Sequence, residues 1–167
     1  MITKIFLETM ASYNAWQNRE IYAAADTLSD DARKLDRGAF FKSIHGTLTH
    51  LYWGDKIWMS RFSDETPPHL DLKSSLEEIH DWQDLKTARV SLDDTILKWA
   101  GDVDESWIAG DMSWYSSSAE REITKPKWVL LTHFFNHQTH HRGQAHAMIT
   151  AVGAKTADTD LPFMPEA

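Results

Sequence analysis

The sequence predicts an all-α protein, a four-helix bundle with a short β-hairpin inserted before the last long helix. Four long segments repeat their apolar residues every three or four positions, which is the spacing of an amphipathic helix. Turn-forming residues such as proline and glycine separate these segments. One further segment alternates apolar and polar residues, as a hairpin does. Long amphipathic helices connected in this way are typical of a bundle, in which metal and cofactor sites lie between facing helices.

Each predicted helix has its own pattern or boundary signal. The first has an apolar stripe that passes through Trp16, and the third opens with a capping box, in which Ser74 is followed by Glu77. The fourth begins near Pro126, which suits a first helical turn, and ends before Gly153, which suits the residue after a helix. The predicted helices span residues 3–27, 40–62, 74–101 and 126–153.

The connections differ in character. Two prolines at residues 66–71 (TPPHLD) forbid a continuous helix between the second and third segments. Residues 112–116 and 120–124 alternate and predict a hairpin with its turn at 117–119. The C-terminal segment, residues 156–167, contains an apolar LPFM. It is predicted either to dock on the bundle or on a partner subunit, or to be an untethered tail.

Composition narrows the classes of function. A chain of 167 residues predicts one domain, residues 1–167. A net charge of −8 disfavours nucleic acids and anionic membrane surfaces as partners. Since there is neither cysteine nor a pattern typical of a leader or membrane span, we expect a soluble cytoplasmic protein whose metal ligands are histidine or carboxylate. The eight tryptophans are interpreted as core residues of a large helical protein.

A histidine-rich segment, HFFNHQTHHRGQAH at residues 133–146, holds five of the nine histidines. On a helix, residues four apart differ by about 40° around the axis, so His137 and His141 lie on one face. That face continues through Phe134 and Met148, which makes it the apolar stripe of the helix. An unpaired buried polar group costs about 1–3 kcal/mol, so these imidazoles need partners. A divalent metal ion is the predicted partner, and hydrogen-bonded core histidines are the alternative.

His50 is the best candidate for a third ligand because it lies inside the second predicted helix. Gly54 is one turn further along on the same face. Glycine is costly inside a helix, so it either leaves space for a bound ligand or permits a close contact between helices. Asp55 is about 140° around the helix from His50 and is predicted not to be a ligand.

The other polar residues of these segments are weaker candidates for metal ligands. His133 precedes His137 by four residues, but three histidines on successive turns of a straight helix do not usually all reach one ion. Arg142 and Gln144 either orient the ligands or form a structural hydrogen-bond cluster. The remaining histidines are predicted to be surface or packing residues: His45, His69, His80, His140 and His146.

Two long motifs carry a resemblance to a known family. SIHGTLTHLYWGDKIWMSRF and HFFNHQTHHRGQAH, with YNAW near the start and DLPFMP near the end, resemble the DinB/YfiT-like family, named for DNA-damage-inducible proteins. The resemblance covers nearly the whole chain. It implies a four-helix bundle, often a homodimer, with a divalent metal held by His50, His137 and His141. It also implies chemistry, because the characterised members are metal-dependent thiol transferases or isomerases that use a low-molecular-weight thiol.

Three neutral imidazoles would leave open positions on the ion, as in catalytic sites. The leading hypothesis is therefore a metalloenzyme in which zinc or nickel activates a low-molecular-weight thiol for transfer to a small electrophilic substrate. The alternatives are a metal-dependent hydrolase and a non-enzymatic dimeric stress-response protein with a structural metal. No general base is evident, and Asp55, His133 and Tyr13 are candidates only for contacts to a ligand or substrate.

Overall fold

Six α-helices and one two-stranded sheet are found in the described part of the computed structural model, residues 2–117 and 119–166. The prediction of a helical protein with a short hairpin is confirmed. No helix within these ranges is both long and apolar enough to cross a membrane. The elements are α1 (Lys4–Asp26), α2 (Asp30–Lys34), α3 (Ile44–Phe62), α4 (Trp82–Asp102), α5 (Glu105–Ile108), β1 (Asp111–Ser116), β2 (Arg121–Pro126) and α6 (Lys127–Ala151), with 3-10 helices at Leu72–Glu77 and Leu161–Phe163.

The four long helices pack so that each contacts two others. α1 packs against α4 and α6, and α3 packs against α6 and α4. The two short helices, α2 and α5, were not predicted. The contact between α3 and α6 brings the two histidine-bearing segments of the chain together.

The hairpin lies between α5 and α6. β1 and β2 are antiparallel, which confirms the predicted hairpin, and Trp114 lies opposite Ile123. Trp114 contacts the ring of Trp58 on α3, with ring centroids 5.7 Å apart, and so ties the hairpin to the helices. The predicted turn at 117–119 includes residue 118, which lies outside the described residues.

The boundaries of α1 and α6 agree with the sequence patterns. Thr3 caps α1 by accepting a hydrogen bond from the backbone N–H of Phe6 at 3.2 Å. Pro126 immediately precedes α6, and Gly153 follows its end with a φ of 84°, a backbone conformation that favours glycine. Both ends of this helix were therefore readable from local signals.

The second predicted helix begins too early. Lys42 has a φ of 64°, which interrupts any helix, and Ser43 caps α3 by accepting from the N–H of Gly46 at 3.0 Å. Residues 40–43 consequently form a turn rather than a first helical turn. Nothing in the local sequence marks Lys42 for this conformation, because positive φ is uncommon outside glycine.

The capping box predicted for the third helix is wrong. Ser74 and Glu77 lie in a separate 3-10 helix, and α4 begins only at Trp82. Its cap is Asp81, whose Oδ1 accepts hydrogen bonds from the N–H groups of Gln83 at 2.8 Å and Asp84 at 3.0 Å. A helix cannot extend from Ser74 because the connection folds back onto α3.

Aromatic side chains fill much of the core, as the tryptophan content predicted. Trp82 stacks on Tyr22 with centroids 5.4 Å apart, which joins α4 to α1. Phe62 stacks on Trp99 at 5.6 Å and joins α3 to α4. Trp128 differs, since 52% of its surface is exposed.

A buried polar network links the four long helices. Arg89 of α4 donates from Nη1 to Oδ2 of Asp55 on α3 at 2.7 Å, and its Nη2 lies 2.9 Å from Oδ1 of Asp93. Gln138 of α6 donates to Asp55 at 3.1 Å, and Asn18 of α1 donates to Asp93 at 2.9 Å. Burial raises the pKa of Asp55 to about 6, against the lowering effect of the Arg89 guanidinium.

The C-terminal segment docks on α1 and α6. Tyr13 donates to the carbonyl of Thr159 at 2.6 Å, and Gln17 donates to the carbonyl of Asp158 at 2.9 Å. Of the alternatives predicted, docking on the protein's own helices is therefore the one observed. The apolar LPFM segment is only partly covered by the helices, since Phe163 is 64% exposed.

Candidate metal centre

Three histidines from two helices converge at the α3–α6 contact. His50 lies on α3, and His137 and His141 lie one turn apart on α6. One ring nitrogen from each can be chosen so that all three lie within 4.8 Å of one another. The ring centroids are 5.4 Å apart for His50 and His137, 4.9 Å for His50 and His141, and 4.3 Å for His137 and His141. The residues that the sequence singled out thus form one group, called here the histidine triad.

Hydrogen bonds orient two of the three rings. Nδ1 of His141 lies 2.8 Å from Oε1 of Gln144, and an amide oxygen only accepts, so this nitrogen carries the proton. Nδ1 of His50 lies 2.9 Å from Oγ of Ser75, which is 1% exposed. Both contacts leave Nε2 free. Holding a ligand imidazole by its other nitrogen is the usual arrangement in metal sites.

His137 is placed by its close approach to α3. A Cβ atom on Gly54 would lie 2.5 Å from Cε1 of His137, so only glycine leaves room for this ring. Of the two explanations offered for Gly54, close contact between helices is the one observed. Within the described residues, Nδ1 of His137 is buried without a hydrogen-bond partner. An orphaned buried nitrogen costs about 1–3 kcal/mol, and coordination of a metal is one way to recover that free energy.

Gly54→Ala is expected to weaken metal binding by about 10–100-fold, the range seen when groups that orient ligands are lost. The added methyl group must displace the His137 ring, while the three imidazoles themselves remain. Competition with a coloured chelator measures the affinity. Gly101→Ala is the matched control, since Gly101 lies in α4 with open space where a Cβ would be. Equal affinities for the two variants would contradict this account of Gly54.

The electrostatics of the triad favour neutral imidazoles. Burial, and to a smaller extent the neighbouring His141, lowers the pKa of His50 to about 3. Burial likewise lowers the pKa of His137 to about 3, with smaller effects from the surrounding histidines. The pKa of His141 is also lowered by burial, in opposition to its hydrogen bond with Gln144. At neutral pH each ring is therefore uncharged, with one nitrogen protonated and the other offering a lone pair, as metal binding requires.

The donor set fits a divalent transition metal. Imidazole nitrogen is a good ligand for zinc, nickel, copper and iron, whereas calcium and magnesium prefer oxygen. Nitrogens bound to one zinc ion lie about 3.3 Å apart for Zn–N bonds of 2.0–2.1 Å. These three histidines, two buried and one partly buried, could thus hold a metal ion.

Phe41 borders the triad and was not predicted as a site residue. Its ring stacks on His50 with centroids 3.7 Å apart and meets His141 edge-on at 5.2 Å. Its neighbour Phe40 is 84% exposed. The positive φ of Lys42 turns the chain here, so a helix-based interpretation of these residues could not reveal the contact. Phe41 gives the triad one apolar wall.

His133 lies beside the triad without joining it. Its ring is 5.6 Å from that of His137 and 5.2 Å from that of Trp58. The Arg61 guanidinium packs over the Trp58 ring, 4.5 Å from the ring centroid, and its positive charge also acts on His133. Burial is the main cause that lowers the pKa of His133, and the charge of Arg61 also lowers it. His133 is therefore placed to contact a ligand next to the triad.

The other candidates are engaged elsewhere. Asp55 is tied to Arg89 and is not part of the triad, in agreement with its helical angle. Tyr13 donates to the C-terminal segment. Gln144 orients a triad ring, whereas Arg142 belongs to a structural cluster with asparagines of α1. Ser75 was missed because only the folding of the connection onto α3 brings it to His50.

The fold and the site together define a class of protein: a helical protein with three clustered histidines on two facing helices. The chain belongs to the DinB family, whose model matches residues 1–167. It is similar to Protein DinB of Bacillus subtilis (strain 168), with 26% identity over 164 residues that cover 93% of this chain and 91% of that protein. No solved structure matches the chain significantly. The resemblance stated from the sequence motifs is confirmed.

Proposed function

We propose that this DinB-family protein is a divalent-metal enzyme that uses His50, His137 and His141 to hold zinc or nickel and acts on a low-molecular-weight thiol. The observation that carries the proposal is the convergence of three neutral imidazoles, two buried and one partly buried, of which two are held by hydrogen bonds at Nδ1. A divalent ion at such a site lowers the pKa of a thiol and keeps it as a nucleophilic thiolate. The second substrate would be a small electrophile.

Transfer from a thiol is favoured over hydrolysis by what surrounds the triad. Hydrolysis usually needs a general base near the attacking water. Within the described residues, no carboxylate joins the three histidines, and Asp55 is occupied by Arg89 and Gln138. A thiol is far more acidic than water before it meets the ion, so it depends less on such a base. The apolar ring of Phe41 also suits the alkyl part of a thiol better than it suits water.

A structural metal is the second candidate. The stacking of Phe41 on His50 covers part of the triad and favours an ion that only joins α3 to α6. In that case chelation should lower the stability of the protein, and no small molecule should bind at the ion.

Cobalt substitution distinguishes these functions. The cobalt(II) protein is titrated with 2-mercaptoethanol, cysteine and glutathione, and its near-ultraviolet and visible absorption is recorded. An open thiol site is expected to give a saturable sulfur-to-cobalt charge-transfer band with at least one thiol. If cobalt binds but no thiol changes its spectrum, the result would contradict the enzyme proposal and support the structural metal.

The fold type and assembly are part of the same proposal. We infer that the four long helices form the DinB/YfiT-type four-helix bundle as a single domain, since each contacts two others and the family model spans the chain. A cytoplasmic homodimer is also proposed, because exposed apolar rings such as Phe40 and Phe163 favour self-association. With a net charge of −8, nucleic acid is not proposed as a partner. Light scattering of the purified protein tests the dimer.

A further inference from the structure

A cavity lies between α1, α6 and the docked C-terminal segment. Its volume is about 340 Å³, within the size range of small-molecule sites. α1 contributes Tyr13 and Ile21, α6 contributes Arg142 and Gly143, and the C-terminal segment contributes Thr159. None of the triad histidines lines it. The cavity therefore differs from the candidate metal centre and needs its own explanation.

The guanidinium of Arg142 is held in a fixed orientation at this cavity. Only 6% of the residue is exposed. Its Nη1 donates to Oδ1 of Asn14 and to Oδ1 of Asn18. Both asparagines in turn donate to Oδ1 of Asp93, at 3.1 and 2.9 Å. The two amides thus fix one side of the guanidinium, as a preorganised binding group requires.

The Nε–Nη2 edge of the guanidinium has no polar partner among the described residues, although the guanidinium packs over the Tyr13 ring, 5.7 Å from its centroid. Within the described residues, Nε and Nη2 of Arg142 make no hydrogen bond, and the side chain forms no ion pair. Arg142 lines the cavity, so this edge of the guanidinium is the part left to bind a ligand there. Nε–H and Nη2–H are parallel donors, the arrangement that matches the two oxygens of a carboxylate.

We propose that this cavity binds a small organic carboxylate, whose oxygens accept hydrogen bonds from Nε and Nη2 of Arg142. The apolar part of the ligand contacts Ile21 and the ring of Tyr13, which line the same space. A monoanion is favoured over phosphate, because Asp93 lies just behind the asparagines that hold Arg142 and opposes a second negative charge. The inference does not depend on the proposed metal chemistry.

The Nε–H resonance of Arg142 in the full-length protein provides the test. Metal-free and zinc-loaded samples are titrated with sodium butyrate, sodium phosphate and sodium chloride at matched ionic strength. Butyrate is expected to shift this resonance saturably and equally in both samples, whereas phosphate and chloride are not. A linear response to every salt, an equal response to phosphate, or a response only in the zinc-loaded sample would overturn the proposal.

Filling the cavity provides a variant that spares Arg142. Gly143 lines the cavity and has open space where a Cβ would be, so Gly143→Leu should fold, with a better helix former in α6. Its side chain is expected to weaken butyrate binding about tenfold or more. Gly101→Leu, at a similarly open position of α4, should leave binding unchanged. Unaltered affinity in Gly143→Leu would count against a ligand in this cavity.

Discussion

His137→Ala is expected to abolish stoichiometric binding of zinc or nickel. Loss of a group that merely orients a ligand costs about 10–100-fold in affinity, and loss of a ligand itself costs at least as much. Within the described residues, no fourth histidine or carboxylate joins the triad to replace it. Elemental analysis after equilibrium dialysis should therefore give about one metal per chain for the wild type and almost none for the variant.

Two histidine controls make this result specific. His80→Ala changes an exposed residue, and His133→Ala changes the ring adjacent to His137 but outside the triad. Both variants should retain the metal content of the wild type. Loss of metal in His133→Ala would add a fourth ligand to the site. Retention of metal in a folded His137→Ala protein would reject the triad as the binding site.

The triad itself could be predicted because helical spacing is a local property. Four residues of α-helix return a side chain to nearly the same face, so His137 and His141 had to be neighbours once α6 formed. His50 was chosen as the third ligand from its place inside the second predicted helix, and the family motifs implied the same residue, although which helices pack together is not a local property. The structure brings all three residues together, whereas their role as ligands stays a prediction.

The residues around the triad could not be predicted because they depend on tertiary contacts. Ser75 reaches His50 only because the connection before α4 folds back onto α3. Phe41 reaches the same ring because of the unusual backbone of Lys42. Local rules assigned these positions to helices, and in both places the long-range contact prevailed.

The polar interior of α6 illustrates a further limit of sequence patterns. This helix contacts both α3 and α1, so its buried positions extend well beyond one apolar stripe. Gln138 and Arg142 are consequently buried, at 0% and 6% exposure. Amphipathic patterns place such residues at the surface, because they assume one buried face per helix. The sequence offered Arg142 as part of a structural hydrogen-bond cluster, but the remaining members of the charged network in the core were not visible in it.

Arg89 is the centre of that network and should be among the residues that matter most for stability. It is 2% exposed and lies within 3 Å of carboxylate oxygens from both Asp55 and Asp93. Removal of one partner from a buried ion pair leaves an uncompensated charge, which costs far more than the pair contributes. A surface pair in the same protein, Lys86 with Asp26 at 2.6 Å, provides the comparison.

Arg89→Met is expected to lower the free energy of unfolding by about 3–5 kcal/mol, because two buried carboxylates lose their counter-ion while the volume of the side chain is largely kept. Urea denaturation at pH 7.5 measures this effect above the pKa of Asp55 in the wild type, which is about 6, so that the Arg89–Asp55 ion pair is present in the reference protein. Lys86→Met breaks the exposed pair with Asp26 and should cost only about 0–1 kcal/mol. Addition of Asp93→Asn to Arg89→Met should recover part of the loss, since one buried charge is removed. Equal losses in the two single variants would mean that the buried pair contributes no more than a surface pair.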